Sequence, residues 1–159
     1  MSAGVEWALH CCVVLTASSE PVPAARLAAL HELSGSYLAK QLQALSRAGL
    51  IHAVQGKSGG YALTRDPASI TVLDVVEAVE GPGPAFVCTE IRQRGPVAAP
   101  PAACTTPCAI ARTMAAAEAA WRQALVAVTV ADLAAQVDAE HGPRVLAGIR
   151  GWLSGEGTP

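Results

Sequence analysis

Three sets of residues in this chain carry chemistry by type and spacing. In "GVEWALHCC" (Gly4–Cys12), Glu6 and His10 stand four residues apart. On a helix that spacing projects a carboxylate and an imidazole from one face, with Cβ atoms about 6 Å apart. In "CTTPC", Cys104 and Cys108 stand four apart, and Cys88 precedes Cys104 by sixteen residues. Between these two sets, no acidic residue interrupts positions 33–65, where Lys40, Arg47, Lys57 and Arg65 lie with His52. Carboxylate, imidazole and thiolate are the ligand types that hold iron and zinc. A locally basic window is the footprint of a nucleic-acid reader. Each set also has an ordinary explanation. A Glu in a first helical turn is favoured by the helix dipole, a His on an amphipathic helix is usually partnered or solvated, and scattered Lys and Arg usually form a solvated face.

The elements that must position these residues read as follows. Residues 4–17 carry apolar groups at helical spacing (Val5, Leu9, Cys12, Val13, Leu15), and Pro21 and Pro23 end the run. Pro23 suits the first turn of a second helix, "AARLAALHEL". In "SGSYLAKQLQALSRAGL", Ser34 or Ser36 caps a third helix, Leu38, Leu42 and Leu45 form its core stripe, and Gly49 stands where a C′ glycine belongs. Two short helices joined by a turn with Ser and Gly read as helix-turn-helix. Residues 50–54 and 61–64 have strand character around the turn-rich "QGKSGG". This is a hairpin following a recognition-type helix, hence a winged helix-turn-helix. "ITVLDVVEAVEG" adds a further helix closed by Gly81. Residues 82–108, with six prolines and three cysteines, read as a long functional loop. "AIARTMAAAEAAWRQALVAVTVADLAAQV" reads as a long helix with a small-residue face suited to a symmetry mate and a break near Thr129. The expected class is mainly α with a small β-hairpin wing. The expected organisation is a winged helix-turn-helix over 1–81, a cysteine-bearing loop over 82–108, and a dimerisation helix with C-terminal tail over 109–159.

Composition sets the bounds. The 159 residues are 52% hydrophobic but only 4% aromatic, and the net charge is −2. Alanine supplies much of the apolar fraction, which favours closely packed helices and reliance on a partner subunit. The overall charge gives no global case for nucleic acid, so that case rests on the local window. The start of the chain lacks a signal-peptide pattern, and no run of about 18 apolar residues suggests a membrane span. A cytoplasmic protein is expected. Thiols are kept reduced in that compartment, and five cysteines are an odd count, so a disulfide framework is not expected.

Within the third helix, Ser34, Ser36, Tyr37, Lys40 and Gln41 lie toward the end that normally enters the major groove, with Arg47 near its other end. Gln pairs with adenine, and Lys or Arg with guanine or phosphate. Lys57, Ser58 and Gly59 suit a wing tip that grips the minor groove or backbone. Cys11 and Cys12, set among Val13, Val14 and Leu15, read as buried and inert. Cys88, Cys104 and Cys108 have little core to join. Pro107 marks a helix start beside Cys108, and a helix N-terminus lowers a thiol pKa. Three loop cysteines do not match the paired spacings of a zinc ribbon. They suit part of an iron–sulfur site, which needs four protein ligands, and Glu6 and His10 offer a workable bite for one iron if a dimer brings the first helix to the partner's loop. The rivals are a cluster-free regulator using thiol oxidation or zinc, an enzyme with a cysteine nucleophile, and a purely structural dimer module. No nucleophile motif is present, and "GKSGG" lacks the upstream glycine and following helix of a P-loop.

The first helix, "SGSYLAKQLQALSRAGLI", "VQGKSGGYALTR", "ITVLDVVEAVEG" and the late cysteines together resemble the winged-helix iron–sulfur repressors of the IscR and NsrR type. The combination of "GVEWALHCC" with "FVCTEIRQRG" looks most like the redox-sensing RsrR-type subgroup. The resemblance implies a homodimeric regulator that binds double-stranded operator DNA and holds a [2Fe–2S] cluster. In that subgroup it implies Glu6 and His10 as ligands from one subunit and loop cysteines from the other. The commoner pattern has three closely spaced cysteines, from which this chain departs. The locally paired Cys104 and Cys108 are the expected thiolate ligands, with Cys88 as the alternate.

Overall fold

The computed structural model describes residues 1–56, 59–142 and 144–155. It is mainly helical, with one two-stranded antiparallel hairpin among the described residues. The chain forms two compact units. One comprises Met1–Pro82 and Leu125–Pro159, and the other Gly83–Ala124.

The first unit opens with α1 (Ala3–Thr16), which buries Val5, Ala8, Cys11, Cys12, Val14 and Leu15. Short α2 (Ala24–Leu30) follows Pro23 and buries Leu27 and Ala28. In α3 (Gly35–Arg47), the Tyr37 N–H donates to the Ser34 side chain at 3.3 Å, which satisfies one of the unpaired donors of the first turn. Leu38, Leu42 and Leu45 form the buried stripe that the spacing predicts. Gly49 takes φ +69° just past the helix end, the left-handed position that glycine fills without strain.

The wing pairs β1 (Ile51–Val54) with β2 (Gly60–Leu63), Ile51 opposite Leu63 and Val54 opposite Gly60. Val22, between α1 and α2, adds an unforeseen bridge. Its N–H donates to the Tyr61 carbonyl at 2.9 Å, and the Tyr61 N–H donates back at 2.8 Å. The hairpin is thereby tied to the entrance of the helix-turn-helix. A capping box starts α4 (Val72–Glu80): the Asp74 N–H donates to Thr71 Oγ1 at 3.1 Å and the Thr71 N–H to Asp74 Oδ2 at 2.8 Å.

The expected long helix divides in two at the expected break, and the tail adds a third helix. α5 (Ala109–Val126) ends before a second capping box, in which Thr129 and Asp132 start α6 (Val130–His141) with bonds of 3.1 and 2.8 Å. This box supplies the physical reason for the break near Thr129. The tail folds as α7 (Arg144–Ser154). Val130 is fully buried in the same core as Leu27, Leu38, Leu42 and Val75, so α6 belongs to the first unit's core. Arg150 Nε donates to the Ala17 carbonyl at 2.9 Å, and Arg26 of α2 donates to the carbonyls of Trp152 and Leu153 (3.0 Å for the latter). The Arg26 guanidinium also lies 5.5 Å from the Trp152 ring centroid, a cation–π arrangement. Among the described residues no helix is long and apolar enough to cross a membrane.

Candidate DNA-reading surface and cysteine site

The open face of α3 carries Ser36, Lys40, Gln43 and Arg47, all exposed. Their steps of four, three and four residues form one helical stripe. Ser34 and Tyr37 are exposed at its N-terminal end, although Ser34 Oγ is already engaged as the cap. Gln41, expected to read a base, is corrected: it is 4% exposed and faces inward. A Cβ built on Gly4 of α1 would lie 2.7 Å from Gln41 Oε1, so the amide occupies the space that the glycine leaves open. Gln43, exposed on the same stripe, was not among the expected DNA-facing residues. Its position three after Lys40 and four before Arg47 was the available signal.

On the wing, His52 is exposed on β1. Arg65 is engaged with Asp74 at 3.2 Å, a surface pair of small energetic worth. Gly59 closes the hairpin turn. Its N–H donates to the Gly56 carbonyl at 3.0 Å, and a Cβ there would lie 2.5 Å from the Val54 carbonyl oxygen. The glycine is thus explained by the backbone's close approach. Lys57 and Ser58 lie outside the described residues.

On α1, Glu6 and His10 are both exposed, with half-buried Trp7 beside them. The Trp7 and His10 rings lie 6.1 Å apart, and each is 5.7 Å from His31, the residue that ends α2. His31 Nε2 is buried without a hydrogen-bond partner. Burial, and then the neighbouring His10, hold the His31 imidazole below its ordinary pKa. Cys11 and Cys12, on the opposite side of α1, are fully buried core residues, and burial pushes both thiols up to about 12.

The second unit holds the loop cysteines, with Cys88 exposed and Cys104 and Cys108 half-buried. Cys108 sits at the start of α5, where its Sγ accepts the Ala111 N–H at 3.3 Å. That bond chiefly lowers the Cys108 pKa. Burial opposes it, and the Ile110 N–H, a hydrogen bond from the Cys88 thiol and the Arg92 charge add to it. Cys88 and Cys108, twenty residues apart in the chain, are brought to the lining of one cavity together with Arg92. Arg92 also lies within electrostatic reach of Cys104. This cavity of about 470 Å³ is also lined by Phe86, Ile91, Ile110 and other loop residues. Ile91 and Ile110 leave much of their apolar surface exposed. Among the described residues of one chain, no three His, Cys, Asp or Glu side chains are grouped to hold a metal ion.

The model of the Rrf2 family, described as an iron-dependent transcriptional regulator, matches residues 1–136. The chain belongs to the Rrf2 family. Its relatives include the HTH-type transcriptional regulator YwgB of Bacillus subtilis strain 168, 39% identical over 87 residues (52% of this chain, 54% of that one). The HTH-type transcriptional regulator IscR of Escherichia coli K12 is 38% identical over 68 residues (43% of this chain, 42% of IscR). The matches span about half the length of these curated relatives, or less. Among solved structures, CymR of B. subtilis, titled a global cysteine regulator, superposes with a TM-score of 0.63 at 26% identity, over 86% of this chain and 96% of that one. T. potens IscR superposes with a TM-score of 0.64 at 22% identity, over 90% of both chains, a likeness of fold. As an Rrf2 protein the chain has the winged-helix fold and belongs to a family described as transcriptional regulators.

Proposed function

We propose that this Rrf2 regulator is a homodimeric repressor that binds double-stranded operator DNA through α3 and the wing and senses redox state through a [2Fe–2S] cluster of the RsrR type. The observation that carries the reading is the placement of Cys88 and Cys108 at the lining of one cavity beside the Arg92 cation. It presents two soft sulfur donors, and the pKa of one of them, Cys108, is drawn below its ordinary value by the Ala111 N–H. Glu6 and His10, on the open face of α1, form the complementary half-set, with one half from each subunit. The donor chemistry fits the group: thiolate, imidazole and carboxylate all ligate iron. Cys88 and Cys108 are the thiolate pair that this shared cavity favours over Cys104 and Cys108, and Cys104 is the alternate.

When bound, the cluster supplies one-electron chemistry at a potential that imidazole ligation raises relative to thiolate. The protein's own parts transmit the change. On the α1 side the transmitting residue would be His10. Its ring lies against His31, which ends α2, so displacement of His10 reaches the helix-turn-helix directly. Dimeric readers require their two recognition helices to match half-sites about 34–36 Å apart, so a shift in that spacing changes affinity. A coupling of about 1.4 kcal/mol suffices for a tenfold change in occupancy.

Glu6→Ala and His10→Ala test the assignment. Each is expected to lower iron and sulfide content and to abolish the redox response of DNA binding. Normal cluster content and an unchanged response in both variants would remove Glu6 and His10 from the site. The same thiol placement also suits a cluster-free regulator that responds through a Cys88–Cys108 disulfide or zinc. Metal content of the anaerobically purified protein separates the two.

A further inference from the structure

Glu90 is one of two non-glycine residues with positive φ among the described residues, at 53°. A carboxylate residue is held there only where its surroundings over-determine it. The surroundings are Arg92, whose Nε and Nη2 donate to the two Glu90 carboxylate oxygens at 2.6 and 2.9 Å. The same Nη2 donates to the Thr106 carbonyl at 2.9 Å. Thr106 stands between Cys104 and Cys108, whereas Glu90 stands two residues after Cys88. The Arg92 carbonyl in turn accepts the Ala99 N–H at 2.7 Å. One side chain thus ties the arm that carries Cys88 to the arm that carries Cys108.

We infer that Arg92 is a positioning residue: its fork on Glu90 and its reach to Thr106 hold the two thiol-bearing arms together, so that Cys88 and Cys108 are presented as a pair. The inference rests on the thiol-pair reading given above. Two thiolates side by side repel, and a fixed guanidinium offsets that repulsion while setting the geometry. Lysine carries the same charge but has no planar fork, so it does not reproduce the clamp.

The test uses cluster-free full-length protein equilibrated with glutathione and its disulfide. One protein S–S bond forms as one glutathione S–S bond breaks, and two glutathione thiols take up the two electrons and two protons. The position of equilibrium reports how well the fold holds the pair together. Mass spectrometry after alkylation maps the Cys88–Cys108 bridge. Arg92→Lys and Glu90→Gln both keep the cation and break the fork. Each is expected to lower the equilibrium constant about tenfold, equivalent to about 30 mV for this two-electron couple. The double variant should fall no further than either single, because both remove the same clamp. Circular dichroism and Tm verify folding, and Glu90→Gln serves if the arginine variant misfolds. A change below threefold in both singles, or full additivity in the double, overturns the inference. Iron and sulfide counts on the native protein test the cluster reading separately, and their failure leaves the thiol equilibrium interpretable.

Discussion

Cys11 and Cys12 on α1 and Cys88 and Cys108 in the loop are the same side chain in opposite surroundings. The α1 pair is sealed among Val14, Leu15, Leu27 and Leu42, and burial pushes both thiols up to about 12. In the loop, a backbone N–H of α5, the neighbouring thiol and the Arg92 charge draw the Cys108 thiol down despite some burial. Desolvation alone favours the neutral thiol, whereas donors and a cation favour the thiolate that binds metal. Reactivity therefore belongs to the loop, and packing to the helix. The first unit packs its core around α3, and the loop carries its sulfur outside that core.

Replacing one loop thiol should break this contrast most severely. Cys88→Ser and Cys108→Ser are each expected to lose nearly all iron, whereas Cys104→Ser and Cys11→Ala retain most of it, by iron and sulfide analysis of anaerobic protein. The two regions should differ almost as clearly in stability. Leu42→Ala, at a fully buried site, should cost about 2–5 kcal/mol in denaturant unfolding. Ile91→Ala, 73% exposed on the loop, should stay within about 0.5 kcal/mol.

Alkaline pH sharpens the contrast further. The folded state holds the Cys11 and Cys12 protons more tightly than the unfolded chain, whose thiols titrate near 9.0. Their contribution is therefore complete below about pH 9 and is lost as pH rises from there toward 12. Tm should fall across that window more steeply in the native sequence than in a Cys11→Ala, Cys12→Ala variant. The smallest effects lie on α3. Gln43→Ala should relax base preference at one operator position by about 1–3 kcal/mol. Gln41→Ala should alter thermal stability and leave base preference unchanged, because its amide faces Gly4. Lys40→Ala should weaken all sequences alike and reduce the salt slope by about 1. Binding titrations across salt and operator variants separate the three.

Much of this was legible in the residues because the signals are local. Ser34 caps α3, Leu38, Leu42 and Leu45 mark its buried side, and "QGKSGG" marks a turn, each fixed by a few neighbours. Gln41 was misplaced because helical position alone does not show which polar residue faces a gap. Here the gap comes from Gly4, thirty-seven residues earlier in the chain. The placement of Cys88 was not legible for a related reason. Cys104 and Cys108 are close in sequence, but Cys88 reaches the same cavity as Cys108 only through a loop folded by the bonds among Glu90, Arg92 and Thr106. The Val22 bridge to Tyr61 was likewise invisible, because a single residue paired to a strand leaves no periodicity.

The most direct test combines cluster and function on one sample. Anaerobically purified protein would be assayed for iron, sulfide and operator affinity, then reduced with dithionite and assayed again. The account predicts about two irons and two sulfides per chain, a bleached visible spectrum on reduction, and an operator affinity that changes at least about tenfold, equivalent to about 1.4 kcal/mol. Zinc or no metal, or an affinity that ignores reduction of an intact cluster, would contradict it.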